Sequence, residues 1–331
     1  MSERQRAAGE RIRVGVVGVG RMGRHHVRIY TEHPGVELVG VTDADHERAV
    51  EVAAEHGTRA LDQAELIDRV DAVSIVVPTP AHAPVARAAV DAGVDVLIEK
   101  PLVDDLAAGR DLIERARAAD VTLQVGHVER FNPAVEALGD VLADLDVIAI
   151  DARRLGPPVD RAVTESVAID LMIHDIDVLL SLVDGEIEGL TAVGACDNRH
   201  VTATLQFDDG VVANLTASRV TQRKVRELVI TAEDCWIVLD YIDQSVRIHR
   251  RSLPSYVQTD GSLRYRHESV VEQPTIDNGE PLKRELSAFV EAVRTGAPPA
   301  VTGEDGLRAL ELATRIDELA TGRLPVEVVP E

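Results

Sequence analysis

Lys100 is the residue whose type says most about chemistry. The chain has 35 basic residues, yet lysine occurs only at Lys100, Lys224 and Lys283. Lys100 stands in Glu99-Lys100-Pro101, directly after an apolar run that predicts a buried strand. Arginine keeps its proton in proteins, whereas a partly buried lysine can lose it and join in proton transfer. A surface lysine at a strand end is the alternative, but a chain this poor in lysine is expected to need an amine here.

Asp170 and His174 form a second candidate pair in a helix predicted over Val167–Val183. Residues four apart lie on one helix face, about one turn from each other. Histidine changes its charge near neutral pH, so His174 suits a general acid/base whose ring Asp170 could orient. A hydrogen-bonded pair without a catalytic role is the alternative that spacing leaves open. No metal site is predicted, because no second histidine or cysteine lies nearby.

The elements that must position these residues begin with a strand predicted over Arg11–Val17 and a helix that extends to about His33. Between them lies G-x-G-x-x-G, the spacing that binds a dinucleotide pyrophosphate at a helix N-terminus. A glycine turn without a ligand is the alternative. The candidate cofactor contacts in this loop are Gly18, Gly20, Arg21, Met22 and Gly23.

Asp43 follows the second predicted strand, Val36–Val41, and lies 20 residues beyond Gly23. A carboxylate at this position accepts hydrogen bonds from a ribose 2′-hydroxyl and repels a 2′-phosphate. The sequence therefore favours NAD over NADP as cofactor. Arg48 is the nearest basic residue that could reverse this preference.

Further strands alternate with helices up to about residue 128. This alternation predicts an α/β domain over residues 11–128, a Rossmann fold with a doubly wound parallel sheet. Ligands bind such sheets at the carboxyl ends of the strands. The side chains at those ends, besides Lys100 and Asp43, are Thr79, His82, Glu99 and His127. His82 could cap the helix that follows it or contact the cofactor, and the sequence supports the two roles equally.

From residue 129 onward the pattern changes to an α+β domain, predicted over 129–331. Strands over 147–153, 200–207, 211–218, 225–231, 235–239 and 245–249 each have one apolar face, which predicts a mostly antiparallel, open-faced sheet with helices on one side. Asp208-Asp209-Gly210 marks a hairpin turn. Residues 251–278 are predicted to be irregular, and helices over 282–294 and 304–319 close the chain.

The bulk composition narrows the class of partner. A net charge of −22 repels phosphate backbones, so nucleic acid is not expected to bind. The chain has no apolar signal segment or membrane-spanning run, and Cys196 and Cys235 form no C-x-x-C, so a cytoplasmic protein is expected. The acidic excess, scarce lysine and 2% aromatic content together predict a halophilic surface, adapted to high salt.

Three motifs resemble one family: Gly18–Gly23, Glu99-Lys100-Pro101 and Gly126–Pro133. They are similar to the glucose–fructose oxidoreductase/inositol dehydrogenase/rhizopine-catabolism family of nicotinamide-dependent sugar oxidoreductases, and the resemblance covers nearly the whole chain. It implies that Lys100, Asp170 and His174 are catalytic. It also implies that the open face of the second sheet mediates contacts in a homo-oligomer, a dimer or a tetramer.

The substrate class is narrowed by the run Gly126–Pro133, which resembles members that oxidise the 3-hydroxyl of UDP-N-acetylglucosamine-type substrates. His127, Arg130 and Arg153 are candidate substrate contacts, and Arg153-Arg154 would serve a diphosphate. An inositol or free-sugar dehydrogenase is the alternative. A non-catalytic dinucleotide sensor is the alternative from another class, although such a sensor has no need for the three catalytic residues.

Overall fold

The computed structural model describes residues 10–142, 145–158, 166–251, 255–259, 262–266 and 269–323. These residues form two compact units. The first unit contains the described residues up to Phe131 and the later segment Glu280–Glu311. The second unit contains Asn132–Gly279 and the described residues from Leu312 onward.

The first unit is an alternation of strands and helices. Its elements up to Phe131 are β1 (Ile12–Val17), α1 (Arg21–Glu32), β2 (Val36–Thr42), α2 (His46–His56), α3 (Gln63–Ile67), β3 (Ala72–Ile75), α4 (His82–Asp91), β4 (Asp95–Glu99), α5 (Leu106–Ala118) and β5 (Leu123–Gly126). The strands form one sheet in the order β2-β1-β3-β4-β5. Strand β1 pairs in parallel with both β2 and β3, so the strand order reverses beside it. The predicted doubly wound parallel sheet is confirmed, and the reversal is where such sheets bind ligands.

Local sequence accounts for these element boundaries. Strands β3 and β4 are almost entirely buried, as expected when helices cover both faces of a parallel sheet. Helix α2 begins where the Asp45 side chain accepts a hydrogen bond from the Arg48 backbone N–H. It ends at Gly57, whose φ of +65° suits glycine. Helix α5 begins in the same way, with Asp105 accepting from the Ala107 backbone N–H.

The second unit carries a larger sheet. Its elements up to Gly279 are α6 (Pro133–Leu142), β6 (Val147–Leu155), α7 (Ile173–Leu182), β7 (Ile187–Ala195), β8 (His200–Phe207), β9 (Val212–Ser218), β10 (Val225–Ala232), β11 (Cys235–Asp240), β12 (Ser245–Arg251), β13 (Ser255–Thr259), β14 (Ser262–Arg266) and β15 (Ser269–Glu272). The sheet order is β15-β12-β11-β10-β6-β9-β8-β7, and neighbouring strands are antiparallel except for the parallel pair β6 and β9. The predicted mostly antiparallel sheet is confirmed.

Two predictions about the second half need correction. Residues 251–278 were expected to be irregular, but they contain β13 and β14, which pair with each other, and β15, which pairs with β12. The sequence of this segment lacks the apolar alternation that marks a strand. Its strands form because the fold brings pairing partners beside them, which a local pattern does not record. The predicted helix over Val167–Val183 is also not uniform, since it opens with a π-helical turn, Ala168–Met172, before α7.

The closing helices are α8 (Pro281–Thr295) and α9 (Gly303–Ala320). The sequence pattern assigned both to the second domain, whereas contacts group residues up to Glu311 with the first unit. Helix α8 explains the difference, because its buried apolar face joins the core formed by β1, α1 and β2. The residues of α8 in that core are Leu282, Leu286, Phe289, Val290 and Val293.

Candidate active site

The glycine loop joins β1 to α1, and two of its glycines are required by the packing. Gly18 has a φ of +92°, and a Cβ there would lie 2.6 Å from the carbonyl oxygen of Val76. At Gly23 a Cβ would lie only 1.9 Å from the carbonyl oxygen of Gly18. Both positions therefore exclude any side chain, and they bring the first turn of α1 close against the loop.

Gly20 differs from these two glycines, because a Cβ there would meet no atom of the described residues within 4 Å. Its missing side chain leaves open space directly at the N-terminus of α1. Helix α1 has no side-chain cap and no acidic residue in its first turn, so its N-terminal N–H groups face that space. Arg21 is exposed there, while Met22 packs against the core. These residues fit the pyrophosphate of a dinucleotide.

Asp43 follows β2 and lies against the glycine loop. One carboxylate oxygen accepts a hydrogen bond from the Val19 N–H at 2.8 Å, and the other accepts from the Asp45 N–H at 2.9 Å. The guanidinium of Arg48 approaches the Asp43 carboxylate to 3.5 Å and that of Asp45 to 3.1 Å. The edge of the loop thus presents a carboxylate and a cation side by side.

Thr79 and His82 follow β3. Thr79 begins a short 3-10 turn, Thr79–Ala81, and His82 begins α4. The His82 ring is buried, and its two nitrogens each lie 2.9 Å from a backbone carbonyl oxygen, that of Pro101 for Nδ1 and that of Val77 for Nε2. The ring thus ties together the segments after β3 and β4, a position that supports an indirect role rather than a direct hydrogen bond to a cofactor.

Glu99 is the last residue of β4, Lys100 follows it, and the Lys100–Pro101 peptide bond is cis. Lys100 is half-buried. One Glu99 carboxylate oxygen lies 3.0 Å from Nε2 of His26, a fully buried residue on α1. Burial alone raises the pKa of Glu99, but the hydrogen bond and charge of His26, with the charge of Lys100, hold that pKa below its usual value. Glu99 is therefore an anion at neutral pH.

Sequence reasoning did not identify His26. The signal was nevertheless available, since Gly23, Val27 and Tyr30 recur at helical spacing on the buried face of α1 and His26 is the polar member of that face. A histidine on an apolar stripe needs a partner, and Glu99 is that partner.

His127 and Arg130 follow β5. His127 is buried, with 1% of its surface exposed. Arg130 lies in the 3-10 turn Val128–Phe131, and its guanidinium is 4.0 Å from the Asp305 carboxylate. Its side chain is 18% exposed, so Arg130 is the more accessible of these two predicted substrate contacts.

In the second unit, Asp170 lies in the π-helical turn and His174 in the first turn of α7. A π-helical turn shifts the side chains that follow it and often marks a functional site. Asp170 forms an ion pair with Arg219, which follows β9. Both side chains are largely buried, at 17% and 11% exposed. Sequence reasoning did not identify Arg219, because it lies 49 residues from Asp170 and no motif links them.

Arg153 and Arg154 do not act together as predicted. Neighbouring strand residues face opposite sides of a sheet, so the two guanidinium groups diverge. Arg154 is buried against α7, where it forms a two-point ion pair with Asp175 at 2.7 and 2.9 Å. Arg153 pairs with Glu227 on the other face of the sheet. A diphosphate clamp made of both residues is excluded, and Arg153 lies on the face away from the helix that carries His174.

No helix in the described ranges is long and apolar enough to cross a membrane. Among the same residues, no group of three or more histidine, cysteine, aspartate or glutamate side chains is placed to hold a metal ion.

The predicted site residues form two sets. Lys100 and the predicted cofactor residues lie in the first unit, and Asp170 and His174 lie in the second.

Comparison with known proteins agrees with the resemblance seen in the motifs. Residues 12–127 match the oxidoreductase family with an NAD-binding Rossmann fold, and residues 147–238 match the GFO/IDH/MocA C-terminal domain. UDP-N-acetylglucosamine 3-dehydrogenase of Acidithiobacillus ferrooxidans is 35% identical over 92% of this chain and 96% of the relative. The chain belongs to the GFO/IDH/MocA oxidoreductase family.

Two further comparisons extend this result. The NAD(+)-linked scyllo-inositol 2-dehydrogenase of Bacillus subtilis is 28% identical over 96% of each chain. A solved structure of the Acidithiobacillus enzyme covers 94% of this chain and 98% of its own, with a TM-score of 0.86 and 33% identity. The protein is therefore an oxidoreductase with an NAD-binding Rossmann domain, and the relatives named here are dehydrogenases acting on CH–OH groups. The alternative of a non-catalytic sensor is not retained.

Proposed function

We propose that this protein is an NAD-dependent dehydrogenase that oxidises a secondary hydroxyl of a nucleotide-sugar, of the UDP-N-acetylglucosamine 3-hydroxyl type. The observation that carries the proposal is the 35% identity to an enzyme of that activity along 96% of the relative's length. The chemistry is supported residue by residue, because one chain holds an open anion site at α1, a half-buried Lys100, and a histidine four residues along the chain from an ion-paired carboxylate.

Oxidation of a secondary alcohol removes a hydride from carbon and a proton from oxygen. A bound NAD supplies the acceptor for the hydride. We assign His174 as the base that takes the hydroxyl proton, since a histidine titrates near neutral pH. Lys100 donates a hydrogen bond to the reacting oxygen and stabilises the negative charge that develops there.

Asp170 is assigned to orient and stabilise His174. The ion pair with Arg219 supports this role in a modified form, because the cation fixes the position of one oxygen of the carboxylate. Asp170 and Arg219 then act as a unit that sets the position of the base.

NAD is proposed as the cofactor in preference to NADP. The Asp43 carboxylate sits against the glycine loop, where a ribose hydroxyl finds an acceptor and a 2′-phosphate meets a negative charge. Arg48 lies 3.5 Å from that carboxylate and offsets part of the repulsion. The preference for NAD is therefore expected to be finite rather than absolute.

A second candidate substrate is an inositol or a free sugar. The ion pair between Arg154 and Asp175 favours a substrate without a diphosphate, because Arg154 is then not available to bind one. Similarity to a scyllo-inositol 2-dehydrogenase over 96% of both chains also favours it. His127 and Arg130 stay proposed contacts for either substrate.

The deciding experiment measures NADH and NADPH formation with UDP-sugars, free sugars and inositols. Lys100→Ala and His174→Ala are each expected to lower kcat by roughly 10²–10⁴-fold while NAD binding persists. Lys224→Ala is the matched control, since Lys224 is exposed and lies outside the proposed site. Near-normal kcat in either test variant would remove that residue from the mechanism.

A homo-oligomer in the cytoplasm is also proposed. The open face of the second sheet exposes Trp236, which lies against His249, together with Val193 and Val271. Both cysteines are free, as suits a reducing compartment.

Light scattering tests the oligomeric state. It should give a mass of at least a dimer, and Trp236→Glu should lower that mass; a monomeric wild type would refute the proposed homo-oligomer.

Adaptation to high salt is also proposed, on the basis of the net charge of −22. Molar salt screens the repulsion among the carboxylates, so the folded state is expected to lose stability on dialysis into dilute buffer. A melting temperature that is the same in both solutions would contradict this proposal.

A further inference from the structure

A buried polar pair links the cofactor helix to the lysine strand within the first unit. His26 is fully buried on α1, six residues after Gly20, and its Nε2 lies 3.0 Å from an oxygen of Glu99. The Glu99 side chain is 13% exposed. An ionised carboxylate only accepts hydrogen bonds, so Nε2 of His26 carries the proton and donates. The bond therefore joins two elements that are distant in sequence and adjacent in the fold.

The second oxygen of Glu99 is also confined. It lies 3.3 Å from the Lys100 backbone N–H, and a Cβ at Gly126 would come within 3.2 Å of it. The same Cβ would lie 3.1 Å from the Glu99 Cα. The carboxylate is therefore enclosed by His26 on one side and by the backbone at the end of β5 on another, next to the residue proposed to hold the reacting oxygen.

The histidine ring is itself held in place. Its neighbour on α1 is Tyr30, edge-on at 6.4 Å between ring centroids, and the Tyr30 hydroxyl lies 2.7 Å from the hydroxyl of Ser74 on β3. Nδ1 of His26 has no hydrogen-bond partner among the residues that the structure describes. An apolar side chain would fill the same space without burying an unpaired nitrogen, so the hydrogen bond to Glu99 is what histidine adds here.

We propose that His26 is a positioning residue for the reaction: it holds the Glu99 carboxylate, which holds the backbone of Lys100. The glycine-loop helix, which we expect to carry the cofactor pyrophosphate, then also sets where the Lys100 amine lies. The inference rests on the proposed role of Lys100. It assigns Glu99 to this support instead of to a direct cofactor contact.

Four variants separate this role from simple packing. His26→Leu removes the donor, and His26→Asn carries an amide that reaches only as far as Nδ1. His26→Gln carries an amide that reaches about as far as Nε2 and so keeps the donor to Glu99. The matched control is His25→Leu, because His25 is exposed on the same helix.

The first readout is kinetic. His26→Leu and His26→Asn are expected to lower kcat by roughly 10–10²-fold, since a small misplacement of a catalytic group costs about that much. Their Kd for NAD should stay within about twofold of the wild type, because neither His26 nor Glu99 belongs to the glycine loop or to the first turn of α1. His26→Gln should recover most of kcat. Equal losses in all three His26 variants would show that the ring is needed only for packing and would overturn the proposal.

The second readout does not depend on the substrate. The exposed residues Lys224 and Lys283 are internal references for labelling with a limiting amine-reactive reagent, followed by mass spectrometry. In His26→Leu the rate for Lys100, relative to the references, should change by about threefold or more, because a displaced Glu99 carboxylate changes the position and surroundings of the Lys100 amine. Unchanged labelling would refute the inference.

The two readouts distinguish the possible failures. A wild type that oxidises no sugar or inositol would refute the proposed function, while the labelling ratio would still decide the role of His26. If His26→Leu does not fold, the comparison of His26→Asn with His26→Gln decides it instead. Normal kcat and normal labelling in His26→Asn would then contradict the proposal.

Discussion

Gly20→Ala tests the proposed cofactor site with the least disturbance of the protein. Gly20 has a φ of −65°, so alanine can adopt its backbone conformation. The added Cβ would meet no atom of the described chain within 4 Å. The free energy of unfolding should therefore change by no more than about 0.5 kcal/mol.

Binding should respond differently, because the Cβ enters the space at the N-terminus of α1 into which a pyrophosphate must come. Adding a methyl group to a well-packed contact costs about 1–3 kcal/mol. Since about 1.4 kcal/mol corresponds to a tenfold change in Kd, the Kd for NAD should rise by roughly 5–150-fold. The same increase is expected for NADH, because both carry the pyrophosphate.

Calorimetric titration with NAD and a thermal melt of the unliganded protein measure the two effects. Gly139→Ala is the matched control, since a Cβ at this position in α6 also meets no atom within 4 Å in the part of the chain that the structure describes. It should leave the Kd unchanged and raise stability by up to about 1 kcal/mol. Gly23→Ala should instead destabilise the fold, because its Cβ would lie 1.9 Å from the Gly18 carbonyl oxygen. Wild-type affinity in Gly20→Ala would refute the assignment of the loop.

Three other substitutions test separate contacts. Arg219→Leu should lower kcat by roughly tenfold with little effect on NAD binding, because Asp170 loses the cation that orients it; an unchanged kcat would limit Arg219 to a structural role. Arg48→Ala should raise the ratio of the NADP Kd to the NAD Kd by about fivefold, and an unchanged ratio would show that Arg48 does not face the ribose. Arg154→Leu should destabilise the protein by about 3–5 kcal/mol in chemical denaturation, because it leaves Asp175 charged and buried; a loss below about 1 kcal/mol would contradict this.

Local patterns in the sequence were sufficient for much of the fold. The glycine spacing, the apolar strands and the hairpin between β8 and β9 depend on neighbours within a few residues, and the structure has them within one to three residues of the predicted bounds. The placement of α8 in the first core depends on packing between segments about 250 residues apart, which no local pattern records. The boundary predicted at residue 128 differs from the observed units for this reason.

The same distinction applies to the candidate site. The pairing of Asp170 with His174 rests on a spacing of about one α-helical turn, and it stays a prediction because Asp170 lies in a π-helical turn. The ion pairs of Arg219 and Arg154 could not be predicted from local spacing. Arg219 lies 49 residues from Asp170, and Arg154 lies 21 residues from Asp175. A sequence shows which side chains can form an ion pair, and only the fold shows which carboxylate each arginine meets.

The shortage of lysine can itself be tested through Lys100→Arg. Lys224 and Lys283 are exposed, whereas Lys100 is half-buried at the end of β4, beside the ionised Glu99. Arginine keeps the positive charge, so a role limited to pairing with Glu99 would survive the change. A role in holding the reacting oxygen would not survive it, because the planar guanidinium is larger, places its donors differently and cannot give up a proton.

We therefore expect kcat of Lys100→Arg to fall by roughly 10²-fold or more, close to the loss in Lys100→Ala, with the Kd for NAD retained. Lys283→Arg is the control, because the exposed amine of Lys283 has no assigned role. Activity near that of the wild type in Lys100→Arg would mean that charge alone is needed at this position. In that case the single half-buried lysine of an arginine-rich chain would have no chemical explanation.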